Sequence, residues 1–222
     1  PRVVATVRGD QTLSRVISIR SGPREQQRQQ VMRVAQETLP VNLERFRIHW
    51  HSLTKGAEGS EVLLMAMPQR VLSSYLETMK IARVKLQALS LRSLALAALG
   101  PQERAILLDL GEASVDVTVV VNGLPQVLHT AAHSRETLPL EHRVQRASQV
   151  AALAVGFYNA RHPELPLQED TPLLVGGKEA AEESLLRRLE AETGHPVNPW
   201  VSPLACPHHL PIGEYAANLG AA

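Results

Sequence analysis

Two glycine-bearing turns hold the residues in this chain whose types and spacing could do chemistry. Asp109-Leu110-Gly111 stands where the apolar run Ala105 to Leu110 breaks into "GEASVD", and Gly176-Gly177 closes the short apolar run "TPLLVGG". A glycine at the end of a strand lets backbone N–H groups approach an anion closely. An aspartate beside it is a ligand for a hydrated Mg²⁺. A glycine pair ahead of a helix places a ligand near the helix N-terminus, which favours negative charge. The same spelling also serves an ordinary turn between strands, so these residues alone leave a hairpin and a phosphate site both open.

Other constellations carry less. His49 and His51 lie at i, i+2 on an alternating stretch and read as a polar strand face, since no third ligand is near them. Cys206-Pro207-His208-His209 lacks the four-ligand spacing of structural zinc. No Gly-Xaa-Ser-Xaa-Gly elbow is present for a hydrolase triad. Arg45 and Arg47 form a modest cationic strip, read as a solvated face that is also open to acidic lipid or a partner.

The elements that must hold the two turns follow from periodicity. Val3 to Val7 and Arg15 to Ile19 read as strands around the polar turn "RGDQT". A helix between Pro23 and Pro40 has Val31, Val34, Ala35 and Thr38 as its stripe. "RFRIHWHSL" alternates as a half-buried strand, and "EVLLMAMP" reads as a strand buried on both faces. The turn "TKGAEGS" joins them. A helix from Gln69 to Arg83 turns Val71, Leu72, Tyr75, Leu76 and Met79 inward. The strand "VKLQALSL" and the short helix "RSLALAALG" complete an α+β first part.

Gly100-Pro101 is the expected boundary, dividing the chain into 1–100 and 101–222. Beyond it, Ala105 to Leu110, Val115 to Val121 and Leu124 to Ala131 form a meander. Asn122-Gly123 turns its second corner, because both positions accept positive φ. A helix from Pro139 to Ala160 buries Val144, Ala147, Ala151 and Ala154. "KEAAEESLLRRLEAETG" is a helix with Leu185, Leu186 and Leu189 inward, and a Pro-rich tail becomes helical from Gly213.

Composition narrows the class. The chain has 222 residues, 44% of them hydrophobic, which is enough for a real core. The formal net charge of +1 gives no general reason to expect nucleic acid. One cysteine cannot close an internal disulfide and leans towards a reducing compartment. No apolar run approaches the roughly 20 residues that span a bilayer. The chain opens on Pro1-Arg2-Val3-Val4 with no Met, which reads as processing or truncation.

In order and wording the chain resembles the actin-like ATPase superfamily and, within it, the PilM family of type IV pilus assembly proteins. The resemblance runs over nearly the whole chain. "VISIRSGPREQQRQQVMRVAQETLPVNLERFRIHWHSL" is similar to the stretch that builds that family's inserted subdomain. "LLDLGEASVDVTVVVNG" resembles the second phosphate hairpin. "PLLVGGKEAAEESLLRRLEAETGHPVNP" resembles the adenosine strand and helix, and "IGEYAANLGAA" the closing helix.

The resemblance implies a mixed α/β (α+β) fold of the actin-like, RNase H-like ATPase type with an inserted α+β subdomain. Residues 1–100 would hold the insertion and part of the first actin-like domain, and 101–222 the second. It implies nucleotide contacts at Asp109, Gly111, Ser114, Gly176 and Gly177, with Mg²⁺ held through water by Asp109. ATP and Mg would then belong to the full-length protein. It also implies a cytoplasmic scaffold, peripheral at the inner membrane, that binds the tail of a PilN-like inner-membrane protein beside residues 40–100 and meets other pilus or secretion assembly proteins. An actin-fold ATPase or sugar-kinase-like enzyme is the alternative.

Three departures set expectations. Glu112 follows Gly111 directly, and a carboxylate repels phosphate unless a cation intervenes. "AAHSRE" replaces a glycine pair after the meander. Asp10, in "RGDQT", lacks the strand ends of a first phosphate hairpin, which is expected to precede this chain. Half a clamp implies weak nucleotide binding or none, and no useful hydrolysis.

Overall fold

A computed structural model of the chain describes residues 2–54, 59–98, 103–133, 139–180, 182–202, 204–207, 209–210 and 212–221. The expected boundary at Gly100-Pro101 lies outside the described residues, as do His208 and parts of "TKGAEGS" and "AAHSRE". In chain order the elements are β1 (Arg2–Val7), β2 (Leu13–Arg20), α1 (Arg24–Thr38), β3 (Phe46–Ser52), β4 (Gly59–Pro68), α2 (Gln69–Ile81), β5 (Lys85–Leu91) and α3 (Arg92–Ala98). They continue with β6 (Arg104–Leu110), β7 (Ser114–Val121), β8 (Leu124–Ala132), α4 (Leu140–Arg161), β9 (Leu173–Gly177), α5 (Glu183–Thr193), β10 (Val197–Pro199) and α6 (Ile212–Ala221).

The chain divides into two compact units. One comprises residues 1–3 and Gln11–Ala88; the other comprises Val4–Asp10 and Leu89–Ala222. The first is therefore an insertion into the second. β1 and β5 pair as a two-stranded sheet.

In the inserted unit, β2, β4 and β3 form an antiparallel sheet with β4 at its centre. α1 lies on one face, burying Val31 and Ala35 against Ile17, Ile19, Val62 and Leu64. Ile48 and Trp50 of β3 pack against the same cluster at its margin. Pro23, with its fixed φ, starts α1 without needing a donor there. α2 departs from the sequence expectation. It is amphipathic as its period predicts, but none of its residues is buried and Leu76 is 49% exposed. β4 is its main packing partner, and one strand does not cover the full width of its apolar stripe.

In the second unit, a five-stranded sheet runs in the order β10-β9-β6-β7-β8. β10, β9 and β6 are parallel; β6, β7 and β8 form the antiparallel meander. α4 and α5 cover one face, where Val115, Val117, Val119, Val144, Ala151, Leu185 and Leu189 are buried together. α3 and α6 cover the other, around Ala105, Leu107, Val120, Trp200 and Ala217. Because both faces are covered, β7 is buried along its whole length. Asp116 and Thr118, which alternate with its valines, are interior as well.

Three local differences from the sequence expectation have physical causes. β1 and β2 flank "RGDQT" as strands but pair with β5 and β4, so that turn is no hairpin. α5 begins at Glu183, several residues after Gly177, which sits at φ 107° in a turn of its own. β10 forms within the Pro-rich tail because its parallel pairing with β9 overrides its low strand propensity.

Two helix glycines predict opposite outcomes. A Cβ at Gly220 of α6 would overlap the Ala95 carbonyl of α3, so Gly220→Ala must push the helices apart and is expected to cost about 1–3 kcal/mol. A Cβ at Gly156 of α4 meets nothing within 4 Å. Gly156→Ala is expected to stabilise by about 0.5–1 kcal/mol through backbone entropy. Urea melts of both variants check the pair.

Candidate functional site

The sheet of the second unit brings all five sequence-designated residues to one end. Register pairs Asp109 with Gly176 on one side and with Asp116 on the other, and pairs Asp116 with Thr130. A single cross-strand row therefore reads Gly176, Asp109, Asp116, Thr130. It lies near the carboxyl ends of β6 and β9, the edge at which open parallel sheets place ligands. Gly111 and Ser114 close the β6–β7 turn beside it, and Gly177 pairs with Leu110 one step further along. The turn and the glycine pair are neighbours in one sheet rather than opposed walls of a cleft.

Asp109 and Asp116 are 1% and 2% exposed. Both lie on the face covered by α3, since Leu107 and Val120 of the same strand parities pack there. Like charges directly opposite are destabilising, so this row needs a cation. Arg92, the first residue of α3, supplies it. Its Nη2 donates to Asp109 Oδ1 at 2.9 Å, and its Nε faces Oδ2 in the same ion pair. This is the two-pronged guanidinium–carboxylate arrangement. Asp116 is held by hydroxyls: Ser114 Oγ donates to Oδ2 at 3.0 Å, and Thr130 Oγ1 donates to Oδ1. Gly9 closes over them, and a Cβ there would overlap Thr130 Oγ1 and come within 2.8 Å of Asp116 Oδ1. Asp10 of the "RGDQT" turn pairs with Arg8 at 3.0 Å, beside that glycine.

Burial pushes the Asp109 carboxyl up from 3.8 to about 6. The Arg92 charge opposes that rise, the Asp116 charge adds to it, and the Arg92 hydrogen bond lowers it again.

Three donors beside the row are committed within the chain. The Arg92 fork is taken by Asp109, and the Ser114 hydroxyl donates to Asp116. The Gly111 N–H donates to the Ser114 carbonyl at 2.9 Å inside the turn. The first turn of α5 opens with Glu182 and Glu183, which already supply negative charge to its N-terminus. In this arrangement Arg92, Ser114 and Gly111 are engaged with groups of the chain itself. What the arrangement does is pair one interior carboxylate with a cation, satisfy the other with two hydroxyls and hold α3 on the sheet.

Elsewhere, among the described residues, no three His, Cys, Asp or Glu side chains converge on a metal position. Cys206 Sγ donates to Ser202 Oγ at 3.7 Å. Of those described, no helix is long and apolar enough to cross a membrane.

Sequence reasoning missed Arg92, Asp116, Thr130 and Gly9. Asp116 was within reach: centring the hairpin on Glu112-Ala113 sets it opposite Asp109. Arg92, Thr130 and Gly9 come from distant segments and leave no local signal.

The known structures bear on the whole chain. The PilM-PilN type IV pilus biogenesis complex superposes with a TM-score of 0.78 over 99% of this chain and 78% of that one, at 18% identity. The chain has a PilM-like, actin-like fold. The cytoplasmic domain of EpsL from Vibrio cholerae, an inner-membrane component of the type II secretion system, superposes at a TM-score of 0.52. That match covers 78% of this chain and 60% of EpsL's at 14% identity. No family model and no curated protein sequence matches.

Two predictions come from the carboxylate row. Arg92→Ala leaves two interior carboxylates without a counter-charge and is expected to destabilise by about 3 kcal/mol, whereas Arg92→Met with Asp109→Leu recovers most of that loss. Double-mutant urea melts measure it. The second concerns pH. The folded chain holds the Asp109 proton up to about pH 6, and the unfolded chain loses it near 3.8. Between those values the folded state binds more protons, so this group's contribution falls as pH rises through the window and is level above it. Asp109→Asn cannot ionise. The stability of the wild type relative to this variant is therefore expected to decline between about pH 4 and 6, and a flat difference curve would contradict the assignment.

Proposed function

We propose that this chain is a scaffold of type IV pilus or related secretion assembly, acting on the cytoplasmic side of an inner membrane and binding the N-terminal tail of a membrane partner. One observation carries this reading: nearly the whole chain adopts the fold of PilM in a structure that pairs PilM with PilN. Residues 1–100 then hold the inserted subdomain with part of the first actin-like domain, and 101–222 form the second. The committed donors around Asp109 support a role in binding rather than phosphoryl transfer. If ATP and Mg act in this protein, they need groups beyond those this row has free. Within the stretch expected to receive the tail, α2 leaves Leu76 and Ile81 exposed, at 49% and 77%.

Calorimetric titration of the chain with the N-terminal peptide of a PilN-type partner tests this. Saturable binding is expected, and Leu76→Asp with Ile81→Asp is expected to weaken it about tenfold or more while the melting temperature holds. A flat titration with folded protein would remove the scaffold reading. A melting temperature raised by millimolar Mg-ATP, and no longer raised in Asp109→Ala, would favour the nucleotide-dependent enzyme instead.

A further inference from the structure

The net charge of +1 conceals a division between the two units. The inserted unit, residues 1–3 and 11–88, carries 13 Lys+Arg against 6 Glu and no Asp; the other unit carries 10 against 16. The insertion is therefore +7 and the remainder −6. Pairing is divided in the same way. Among the described residues, every ion pair, from Arg8–Asp10 to Arg188–Glu141, joins two residues of the acidic unit. Among the described residues, no cation of the insertion is ion-paired with a carboxylate.

β3 places part of that charge beside an open sheet edge. It is an outer strand of its sheet. On one face Arg47, His49 and His51 are exposed, and their neighbours across β4 are Met67, Met65 and Leu63, which carry no charge. On the other face Ile48 and Trp50 are half-buried at the margin of the α1-covered core. The opposite edge of the sheet is treated differently. There the Gln30 amide of α1 accepts from the Arg20 N–H at 2.8 Å and donates to its carbonyl at 3.5 Å, standing in for a further strand. Among the described residues nothing does this for Arg47–Ser52.

An unpaired strand edge is a template for another strand, and basic side chains along it repel most comers. The same side chains select one kind. A strand added to β3 would set alternate residues beside Arg47, His49 and His51, and the residues between them beside Phe46, Ile48 and Trp50. We propose that the β3 edge of the insertion is a strand-addition site for an extended acidic segment of a partner protein, with Asp or Glu alternating with apolar residues over about seven positions. Backbone hydrogen bonds supply the register, carboxylates meet the basic face, and apolar side chains extend the core under α1. The site stands independently of the pilus reading.

The test titrates the intact chain into a labelled seven-residue peptide of alternating Glu and Val and follows anisotropy. Saturable binding is expected, weakened about tenfold by Arg47→Glu and by raising salt from about 50 to about 500 mM. Circular dichroism confirms that the variant stays folded. A Lys-for-Glu peptide, and a Glu-Val peptide N-methylated at alternate amides, are expected not to bind. Equal binding of the N-methylated peptide would overturn strand addition, since charge alone would then account for the complex. Equal binding by Arg47→Glu would overturn the location. No binding of the Glu-Val peptide would overturn the proposal. If the chain then bound phosphatidylglycerol vesicles, the basic face would be assigned to lipid.

Discussion

The second unit is organised around two interior aspartates set directly across from each other on neighbouring strands. Asp109 and Asp116 share a face, a row and nearly complete burial. Their repulsion is felt at low local dielectric, where it is far larger than in water. A cation must reach them, and that requirement fixes much else. α3 has to start at Arg92, on the sheet face where both carboxylates lie. α6 has to close over α3, and Gly220 lets it approach to backbone contact at Ala95. The loop between β1 and β2 has to cross Thr130 and Asp116, and only a residue without a Cβ fits there. A leucine pair would hold the strands together as well or better. The ion pair instead specifies which helix lies where, the use for which a buried charge is best suited.

Position in the fold and chemistry at that position come apart here. The row stands at the sheet edge where an actin-like fold would be expected to meet a ligand. β6 has a parallel neighbour on one side and an antiparallel one on the other, so strand ends and a tight turn meet at the same place. Yet the Arg92 fork, the Ser114 hydroxyl and the Gly111 N–H are already engaged by carboxylates or a carbonyl of the chain. A fold supplies a location, and the side chains decide its use.

Much of the architecture is legible where the sequence encodes a single environment. The Asn122-Gly123 corner, the meander it closes and the buried stripe of α4 follow from turn chemistry and period alone. So do α1 and the central strand β4. The failures lie where distant chain decides. β7 can hold Asp116 in the interior because Ser114 of the same strand and Thr130 of β8 donate to it, and because Arg92 of α3 pairs with Asp109 opposite. α5 is spelled as a helix from Lys178, but Gly177 at positive φ turns the chain away first. β10 exists because β9 offers it an edge. The apolar stripe of α2 is real, but its period cannot say how much of it another element will cover. For the candidate site, the five designated residues do gather at one place. Two of the partners there come from other elements, Arg92 from 17 residues before Asp109 and Thr130 from 14 residues after Asp116.

The same separation of scales governs charge. A net charge near zero describes how the whole chain looks from far off. At physiological ionic strength fields fade over about 8 Å, less than the radius of gyration of about 13 Å for a 100-residue unit. A partner at the surface of the insertion therefore meets a body of +7, and one at the second unit meets −6. The acidic unit spends its cations on its own carboxylates, in pairs such as Arg92–Asp109, Arg143–Glu179 and Arg188–Glu141. The insertion has more than two cations for each carboxylate and cannot do the same. Its surplus has no internal use in stability, where mutual repulsion costs free energy. A surplus of that kind along an open strand edge is better explained by what it admits and refuses than by anything it contributes to folding.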